Sequence, residues 1–245
     1  GSIATTLANV AIGKLALDSI TAAGSTIAIG YKAMTAVLTG GNSVAIGSQS
    51  MVYCTTVIND TAVGVDTLRA QNSGNNTAIG ASVMKVCTGQ YNTGVGSTAL
   101  MQNTSGNYNT VVGFESMKAN TTGLNNTAMG CQSLLANTIS SNNTAVGYQS
   151  LQQNSTGNNV AIGKGALKVC TGWANVAIGT EAGISMTSCN DNTLIGHKAQ
   201  ASSNTGNHQT VIGYNAVGQG SNSVTLGNAD VTDVYMAQDS GATVH

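Results

Sequence analysis

The chain has 245 residues, of which only 7% are charged, and its formal net charge at pH 7 is -1. Charged residues usually make up about 25% of a globular chain, so this composition leaves no electrostatic footprint for binding nucleic acid. A hydrophobic content of 41% argues against disorder, and no apolar run approaches the length of a membrane span.

A short motif that ends in glycine recurs along the whole chain. Its first copies read ANVAIG, TIAIG, NSVAIG and NDTAVG, and end at Gly13, Gly30, Gly47 and Gly64. Ten further copies end at Gly80, Gly96, Gly113, Gly130, Gly147, Gly163, Gly179, Gly196, Gly213 and Gly227. Neighbouring glycines are 16 or 17 residues apart, except for the last pair, which are 14 apart. This regularity predicts one continuous repeat array rather than several domains.

The array sets the predicted domain boundaries. Residues 3–227 form the repeat domain, and residues 228–245 form a C-terminal cap, neck or distal tip. Gly1 and Ser2 resemble residues left by cloning and do not enter the fold argument.

Each copy begins with a predicted strand. Val or Thr lies three positions before the glycine, and Ile, Val, Met or Leu lies one position before it, as in Val44 and Ile46. A spacing of two is the strand period, so both side chains share one face, and we expect that face to point into the core. The residue between them is mostly alanine, as at Ala45. We interpret this small residue as a surface that another chain approaches.

A second apolar column lies four residues after the glycine, and a polar turn follows it. This column consists of Leu17, Met34, Met51, Leu68, Met84, Leu100, Met117, Leu134, Leu151 and Leu167. Turn segments such as NTSGN and NSTGN follow it. Each copy therefore predicts a strand, a bend, a second strand and a turn. Stacked copies predict an all-β parallel β-solenoid, or β-roll, of about 14 coils and about 65 Å in length.

Two columns of asparagine support this stacking. The first asparagine ladder lies four residues before the glycine and comprises Asn76, Asn92, Asn109, Asn126, Asn143, Asn159, Asn175 and Asn192. The second asparagine ladder lies seven residues after the glycine and comprises Asn103, Asn120, Asn137 and Asn154. Stacked amides at the strand spacing can bond from coil to coil.

The predicted coil is thin, and this favours association. Two or three inward apolar side chains per coil offer little burial against a conformational entropy cost of about 1.5 kcal/mol per ordered residue. A homotrimer would let three rolls share a central core, with the alanine column as the contact surface.

The NSVAIG and NTAIG copies resemble the head repeats of trimeric autotransporter adhesins, although those heads have a shorter repeat. The longer form, NNTAIGxxALxxNTTG, is similar to repeats in phage and algal-virus tail fibres and in bacterial surface fibres. The resemblance implies a left-handed roll assembled as a homotrimer. The closing segment, NSVTLGNADVTDVYMAQDSGATVH, resembles the stretch before a self-cleaving intramolecular chaperone.

The resemblance also implies a function. It predicts a non-enzymatic fibre segment for attachment to a host cell or surface, located on a virion or at the cell surface. The expected partners are two further copies and a host glycan or protein receptor, with neither nucleic acid nor membrane insertion.

Residues for catalysis or metal binding form no recognisable pattern. The nine acidic residues are assigned to unrelated columns, so no carboxylate pair is expected. The spacing of His197, His208 and His245 does not match a zinc site. Neither catalytic residues nor a cofactor nor a metal is predicted. The five cysteines are expected to be free and mostly buried, because Cys54 and Cys87 are two coils apart, about 10 Å.

The rare aromatic residues are the candidates for surface contacts. Tyr91 and Tyr108 occupy the same turn position in adjacent copies, and Trp173 lies one position away in a later copy. Together with Tyr235 they are the predicted contacts to a glycan or another surface. The competing interpretation is that these rings cover the edge of the roll or fill a groove between chains.

Two alternative functions stay open. A column of threonines could bind ice, but it shares a face with the Ile column and is therefore expected to point inward. It includes Thr61, Thr77, Thr93, Thr110, Thr127 and Thr144. The second alternative is a glycan-processing enzyme on a β-helix.

Overall fold

The computed structural model describes residues 8–70 and 73–234. All regular elements in this part of the chain are strands of three or four residues. They are β1 (Val10–Ile12), β2 (Ala22–Gly24), β3 (Ile27–Ile29), β4 (Thr39–Gly41), β5 (Val44–Ile46), β6 (Thr56–Ile58), β7 (Thr61–Val63), β8 (Thr77–Ile79), β9 (Thr93–Val95), β10 (Thr110–Val112), β11 (Thr127–Met129), β12 (Thr144–Val146), β13 (Val160–Ile162), β14 (Val176–Ile178), β15 (Thr193–Ile195), β16 (Gln209–Ile212) and β17 (Ser223–Leu226).

Fourteen of the strands form one parallel sheet, and this confirms the predicted β-solenoid. Their order is β1-β3-β5-β7, followed by β8 to β17 in sequence. The register places each residue beside its equivalent in the next copy, so that Ala45 pairs with Ala28 on one side and with Ala62 on the other. With about 4.8 Å between strands, the thirteen steps give a length of about 62 Å.

The predicted second strand in every copy is wrong. Among the described residues, a second sheet is confined to the first three coils, where β2, β4 and β6 pair. The Leu/Met column instead lies in a turn, with left-handed φ values of 51° at Met34 and 46° at Leu68. These turns still bond from coil to coil, since the Met51 N–H donates to the Thr67 carbonyl at 3.0 Å. The side chains thus reach the core without extended backbone.

The glycine column allows the coils to stack closely. The φ value is 139° at Gly113 and 138° at Gly47, a region that residues with a Cβ rarely adopt. A Cβ placed on Gly113 would lie 2.5 Å from the carbonyl oxygen of Gly130 in the next coil. Both backbone conformation and contact therefore require glycine here.

The predicted orientation of the strands is also wrong. Ala28, Ala45, Ala62 and Ala78 are fully buried, whereas the Ile, Val and Thr residues beside them point outward. The reason is the narrow cross-section, because Leu and Met side chains already fill the interior from the opposite wall. At Gly94, an added Cβ would lie 2.8 Å from Val83 Cγ1 and 2.9 Å from Met84 Cε. The alanine column is therefore part of the chain's own core and does not serve as a surface between chains.

Both asparagine ladders are confirmed, and their side chains are buried. In the first ladder, the amide oxygen of Asn92 accepts the backbone N–H of Asn109 at 3.0 Å, and the pattern repeats in the next coil between Asn109 and Asn126. In the second ladder, Asn137 Nδ2 donates to Asn120 Oδ1 at 3.2 Å. These bonds join the amides along the axis, but those of the second ladder end at Asn137, whose Oδ1 is buried and accepts no hydrogen bond.

The five cysteines are thiols and form no disulfide, as predicted. Cys54, Cys87, Cys170 and Cys189 are buried, while Cys131 is half-buried. Burial raises the pKa of Cys87 to about 11, so this thiol stays protonated at neutral pH.

Candidate functional site

The roll presents three long sides with different chemistry. The sheet face consists of the side chains one and three positions before each glycine. The charged edge consists of residues one, two and five positions after each glycine, and the turn edge consists of residues five to eight positions before it. Because every coil repeats the same positions, each side extends along the whole array.

The sheet face is a continuous apolar surface. Its residues are exposed or half-buried, with Ile46 exposed at 37% and Ile79 at 41%, and none of them is charged. The column directly before the glycine comprises Ile12, Ile29, Ile46, Val63, Ile79, Val95, Val112, Met129, Val146, Ile162, Ile178, Ile195, Ile212 and Leu226. A monomer rarely exposes a contiguous apolar patch of more than a few hundred Å². A stripe about 62 Å long is therefore a candidate contact surface.

The threonine column lies on this same face and points outward. Thr110 is exposed, and Thr77 and Thr144 are partly exposed. The expectation that the threonines point inward is therefore wrong. Because these hydroxyl groups face solvent, their orientation does not speak against ice binding.

The charged edge carries ion pairs between positions two and five after the glycine. Lys118 Nζ lies 2.8 Å from Glu115 Oε1, and Arg69 Nε lies 3.6 Å from Asp66 Oδ1. Hydrogen bonds from Lys118 and then from Gln132 hold the pKa of Glu115 below its usual value. These side chains are partly exposed, so each ion pair adds little to stability.

Three acids share one column, which corrects the assignment of all acids to unrelated columns. Asp66, Glu115 and Glu181 each lie two residues after a glycine. Asp66 and Glu115 are nevertheless three coils apart, about 14 Å, and Glu115 and Glu181 are four coils apart, about 19 Å. The carboxylate pairs of glycosidases are at most about 9.5 Å apart. These acids therefore do not form such a pair.

Within the described residues, His, Cys, Asp and Glu form no group of three that could hold a metal ion. His197 stacks on Tyr214 with ring centroids 5.5 Å apart. His208 Nε2 lies 3.6 Å from Asp191 Oδ2. His245 lies outside the described residues.

The turn edge carries a column of residues in the left-handed backbone conformation, five positions before the glycine. Asn59, Asn75, Asn125, Asn142 and Asn158 occupy it with φ between 55° and 64°. Asparagine tolerates this conformation well. Neighbouring amides bond to each other, as Asn59 Nδ2 donates to Asn75 Oδ1 at 3.1 Å.

Tyr91 and Tyr108 interrupt this asparagine column, and the structure brings the two rings together. The ring centroids are 5.1 Å apart, and the ring planes are parallel within 1°. Both rings are exposed, Tyr91 at 49% and Tyr108 at 59%. They flank an open groove of about 380 Å³, the tyrosine groove, which Thr88, Gln90, Ser105 and Asn107 also line. None of these six residues is charged.

The sequence analysis missed the four polar residues of the tyrosine groove. Thr88 and Ser105 lie eight positions before their glycines, and Gln90 and Asn107 lie six positions before theirs. Their equivalence in the same two copies as the tyrosines is the signal that could have identified them.

The other two aromatic candidates do not join the tyrosine groove. Trp173 is 50% exposed on the turn edge. It lies four coils from Tyr108, about 19 Å along the axis. Its backbone N–H donates to Asn190 Oδ1 at 2.9 Å. Tyr235 lies outside the described residues.

No protein-family model matches the chain, and no curated protein matches it. In the part of the chain that the structure describes, no helix has the length and apolar character to cross a membrane.

Proposed function

We propose that the chain is a non-enzymatic structural segment of a fibre that attaches to a host cell or another surface. In this proposal, three copies associate through their sheet faces and form a rigid rod on a virion or at a cell surface. The observation that carries the proposal is the uncharged apolar sheet face, which extends over fourteen strands.

The burial pattern supports association through the sheet face. The alanine column is inside the coil, so the core of one chain consists of small residues and one Leu or Met per coil in most copies. Packing the exposed Ile and Val residues against other copies would add the apolar burial that a single coil lacks.

The repeat also makes the sheet face complementary to itself. Equivalent side chains recur at about 4.8 Å, and the absence of charge in this column removes like-charge repulsion between copies. The number three and the attachment role come from the resemblance to adhesin heads and tail-fibre repeats. Three identical chains would present any surface contact three times, which raises avidity without new contacts.

The test is the mass in solution, measured by light scattering after size exclusion. We expect the mass of three chains for the wild type. The variant Met129→Asp/Ile162→Asp places two charges on the sheet face and should shift the mass towards one chain. Ser97→Asp, an exposed position on the charged edge, is the matched control and should keep the trimer. A wild-type mass of one chain would overturn the proposed assembly.

A second candidate function is ice binding, and the outward orientation of the Thr column favours it. Thr and Ile or Val side chains repeat along an exposed, regular sheet face. The column is not pure, since Val44, Val160 and Val176 replace threonine. Because ice binding and trimerisation would use the same face, they exclude each other. A monomer that shows thermal hysteresis, lost in Met129→Asp/Ile162→Asp, would support ice binding, and no hysteresis would eliminate it.

A further inference from the structure

We propose that the tyrosine groove binds a neutral oligosaccharide on the side of the rod. This inference rests on the proposed attachment function, since it names the class of surface ligand. It does not depend on the number of chains, because the turn edge is separate from the sheet face.

The first argument is that the fold does not need tyrosine at these positions. The coils before and after the pair carry Asn75 and Asn125 at the same position, with φ of 64° and 57°. Tyr91 and Tyr108 adopt the same conformation, with φ of 58° each. A left-handed conformation costs an ordinary L-residue about 1–2 kcal/mol, and asparagine offsets part of this by local hydrogen bonds. Tyrosine in place of asparagine in two adjacent coils therefore gives up the favourable amide contacts of this column and adds two exposed rings.

The second argument is the chemistry of the groove. Tyrosine offers an apolar ring together with a hydroxyl group, and it loses little conformational entropy on binding. Sugars have the matching combination of apolar C–H faces and hydroxyl groups. Side-chain hydroxyls of Thr88 and Ser105 and amides of Gln90 and Asn107 lie beside the rings. A small set of fixed polar groups beside an apolar surface is typical of a ligand site.

The third argument is that the groove is preorganised. Asn107 Oδ1 accepts the backbone N–H of Gln90 at 2.7 Å, and this bond joins the two coils that form the groove. Thr88 Oγ1 donates to the Thr104 carbonyl at 2.7 Å. The two parallel rings support each other. Little ordering would remain to oppose binding.

The tyrosine groove carries no charge, and this favours a neutral sugar. None of the described lining residues is charged. Asp191, on the same edge, is five coils from Tyr108, about 24 Å, which exceeds the Debye length of about 8 Å at physiological salt. An anionic sugar would find no cation among the lining residues. A flat aromatic ligand would not use the four polar groups.

The experiment measures binding of a panel of neutral hexasaccharides of glucose, mannose, galactose and N-acetylglucosamine by isothermal titration calorimetry. Uronate hexasaccharides and sialylated glycans are measured in parallel. We expect at least one neutral member to bind. Tyr91→Asn/Tyr108→Asn should weaken that binding tenfold or more. These substitutions restore the residue of the flanking coils, so folding should be preserved and is checked by thermal unfolding. Tyr214→Asn, an equally exposed ring outside the groove, is the matched control and should retain the affinity.

The outcomes separate this inference from the proposed function. No binding of any neutral hexasaccharide at millimolar concentration would overturn the glycan site, as would unchanged affinity in the tyrosine double variant or a preference for the anionic glycans. The mass in solution is measured on the same samples. A wild type that forms a trimer but binds no glycan contradicts only the glycan site. A monomer that binds glycan through Tyr91 and Tyr108 contradicts only the proposed assembly.

Discussion

The first three coils and the central coils share one sheet, but the side of the coil opposite this sheet is built differently in the two regions. In the first three coils, β2, β4 and β6 pair backbone to backbone, and buried Val37, Cys54 and Val57 fill the corner. In the coils between Gly96 and Gly163, the second asparagine ladder occupies that corner.

The difference shows which part of the repeat is constrained. The sheet side keeps glycine at the end of every copy because the coils stack closely, and it keeps a small residue two positions earlier in most copies, with Val111, Leu194 and Val211 as buried exceptions. The opposite wall accepts either strand pairing with apolar side chains or stacked amides. Since the amides from Asn103 to Asn137 bond to one another between coils, stacked asparagines depend on the neighbouring coils more than apolar side chains do.

The largest expected effect concerns the glycine column, which both regions share. Gly47→Ala and Gly113→Ala should each lower the free energy of unfolding by about 3 kcal/mol or more, because the added Cβ would lie 2.2 Å and 2.5 Å from a carbonyl oxygen of the next coil. Denaturant unfolding measures both. Gly94→Ala is the control and should cost less, about 1–2 kcal/mol, since the neighbours of its added Cβ are side chains that can shift rather than backbone of the next coil. If Gly47→Ala lowered the free energy of unfolding only slightly while Gly113→Ala lowered it strongly, the distance between stacked coils would differ between the two regions.

The next effect compares the two regions at the position four residues before the glycine, where the first asparagine ladder lies in the central coils. Asn109→Ala should cost about 2–4 kcal/mol, because it leaves the buried backbone N–H of Asn126 without its acceptor and removes one of the two amides that donate to the Gly123 carbonyl. Ser43→Ala removes the equivalent contact in the first coils, the bond from the Asp60 N–H at 3.1 Å. It should cost about 1–2 kcal/mol.

Asn125→Gly is the control for the asparagine substitution. It removes an exposed amide whose bond to Asn142 is 3.4 Å, and it keeps the left-handed backbone. We expect a loss below about 1 kcal/mol. Equal losses for Asn109→Ala and Asn125→Gly would contradict the role assigned to the first asparagine ladder.

The thiols report on opening of the two regions. Native protein treated with a maleimide at pH 8 should react at Cys131, while Cys54, Cys87 and Cys170 react only on unfolding, because they are buried. Peptide mapping by mass spectrometry identifies the labelled sites. Faster labelling of Cys54 than of Cys170 would mean that the first three coils open separately.

The pKa of Cys87 adds a pH dependence. The folded-state pKa of Cys87 is about 11, and an unfolded cysteine has a pKa of about 8.5. The contribution of the buried, protonated thiol to stability is therefore complete below about pH 8.5 and is lost as the pH rises towards about 11. Cys87→Ser should reduce this alkaline loss, measured as the change in the unfolding midpoint with pH. An unchanged alkaline midpoint in Cys87→Ser would contradict this assignment.

The smallest effect concerns the charged edge. Lys118→Met removes the hydrogen bond that contributes most to the low pKa of Glu115, so that pKa should rise towards its usual value in an NMR titration. A lowered pKa contributes stability above the unfolded-state pKa, and this contribution is lost as the pH falls. Near neutral pH the exposed pair should add little. Lys168→Met, on the same edge in a coil without Glu115, is the control and should leave the Glu115 pKa unchanged.

The sequence predicted the stacking but not the direction of the side chains. The spacing of the glycines and the asparagine columns predicted a parallel solenoid and both ladders, because one residue per coil must align with its equivalent. Strand periodicity alone was compatible with either face inside. The choice depends on the width of the coil, which is determined by Met34 and Leu68 from the opposite wall. Their left-handed backbone is unusual for such residues, so sequence propensity predicted a strand there.

The candidate site was predictable to a similar extent. The shared position of Tyr91 and Tyr108 indicated that the rings would be neighbours. The tyrosine groove was not foreseen, since it depends on how Gln90 and Asn107 connect two turns.

The alignment of equivalent residues makes the length of the rod a countable quantity. The coil of residues 114–130 has 17 residues and repeats the register of its neighbours. Deleting or duplicating such a coil would change the length by about 4.8 Å and leave the three sides continuous. Evolution could therefore lengthen or shorten this molecule in steps of one coil without changing the chemistry of any of its three sides.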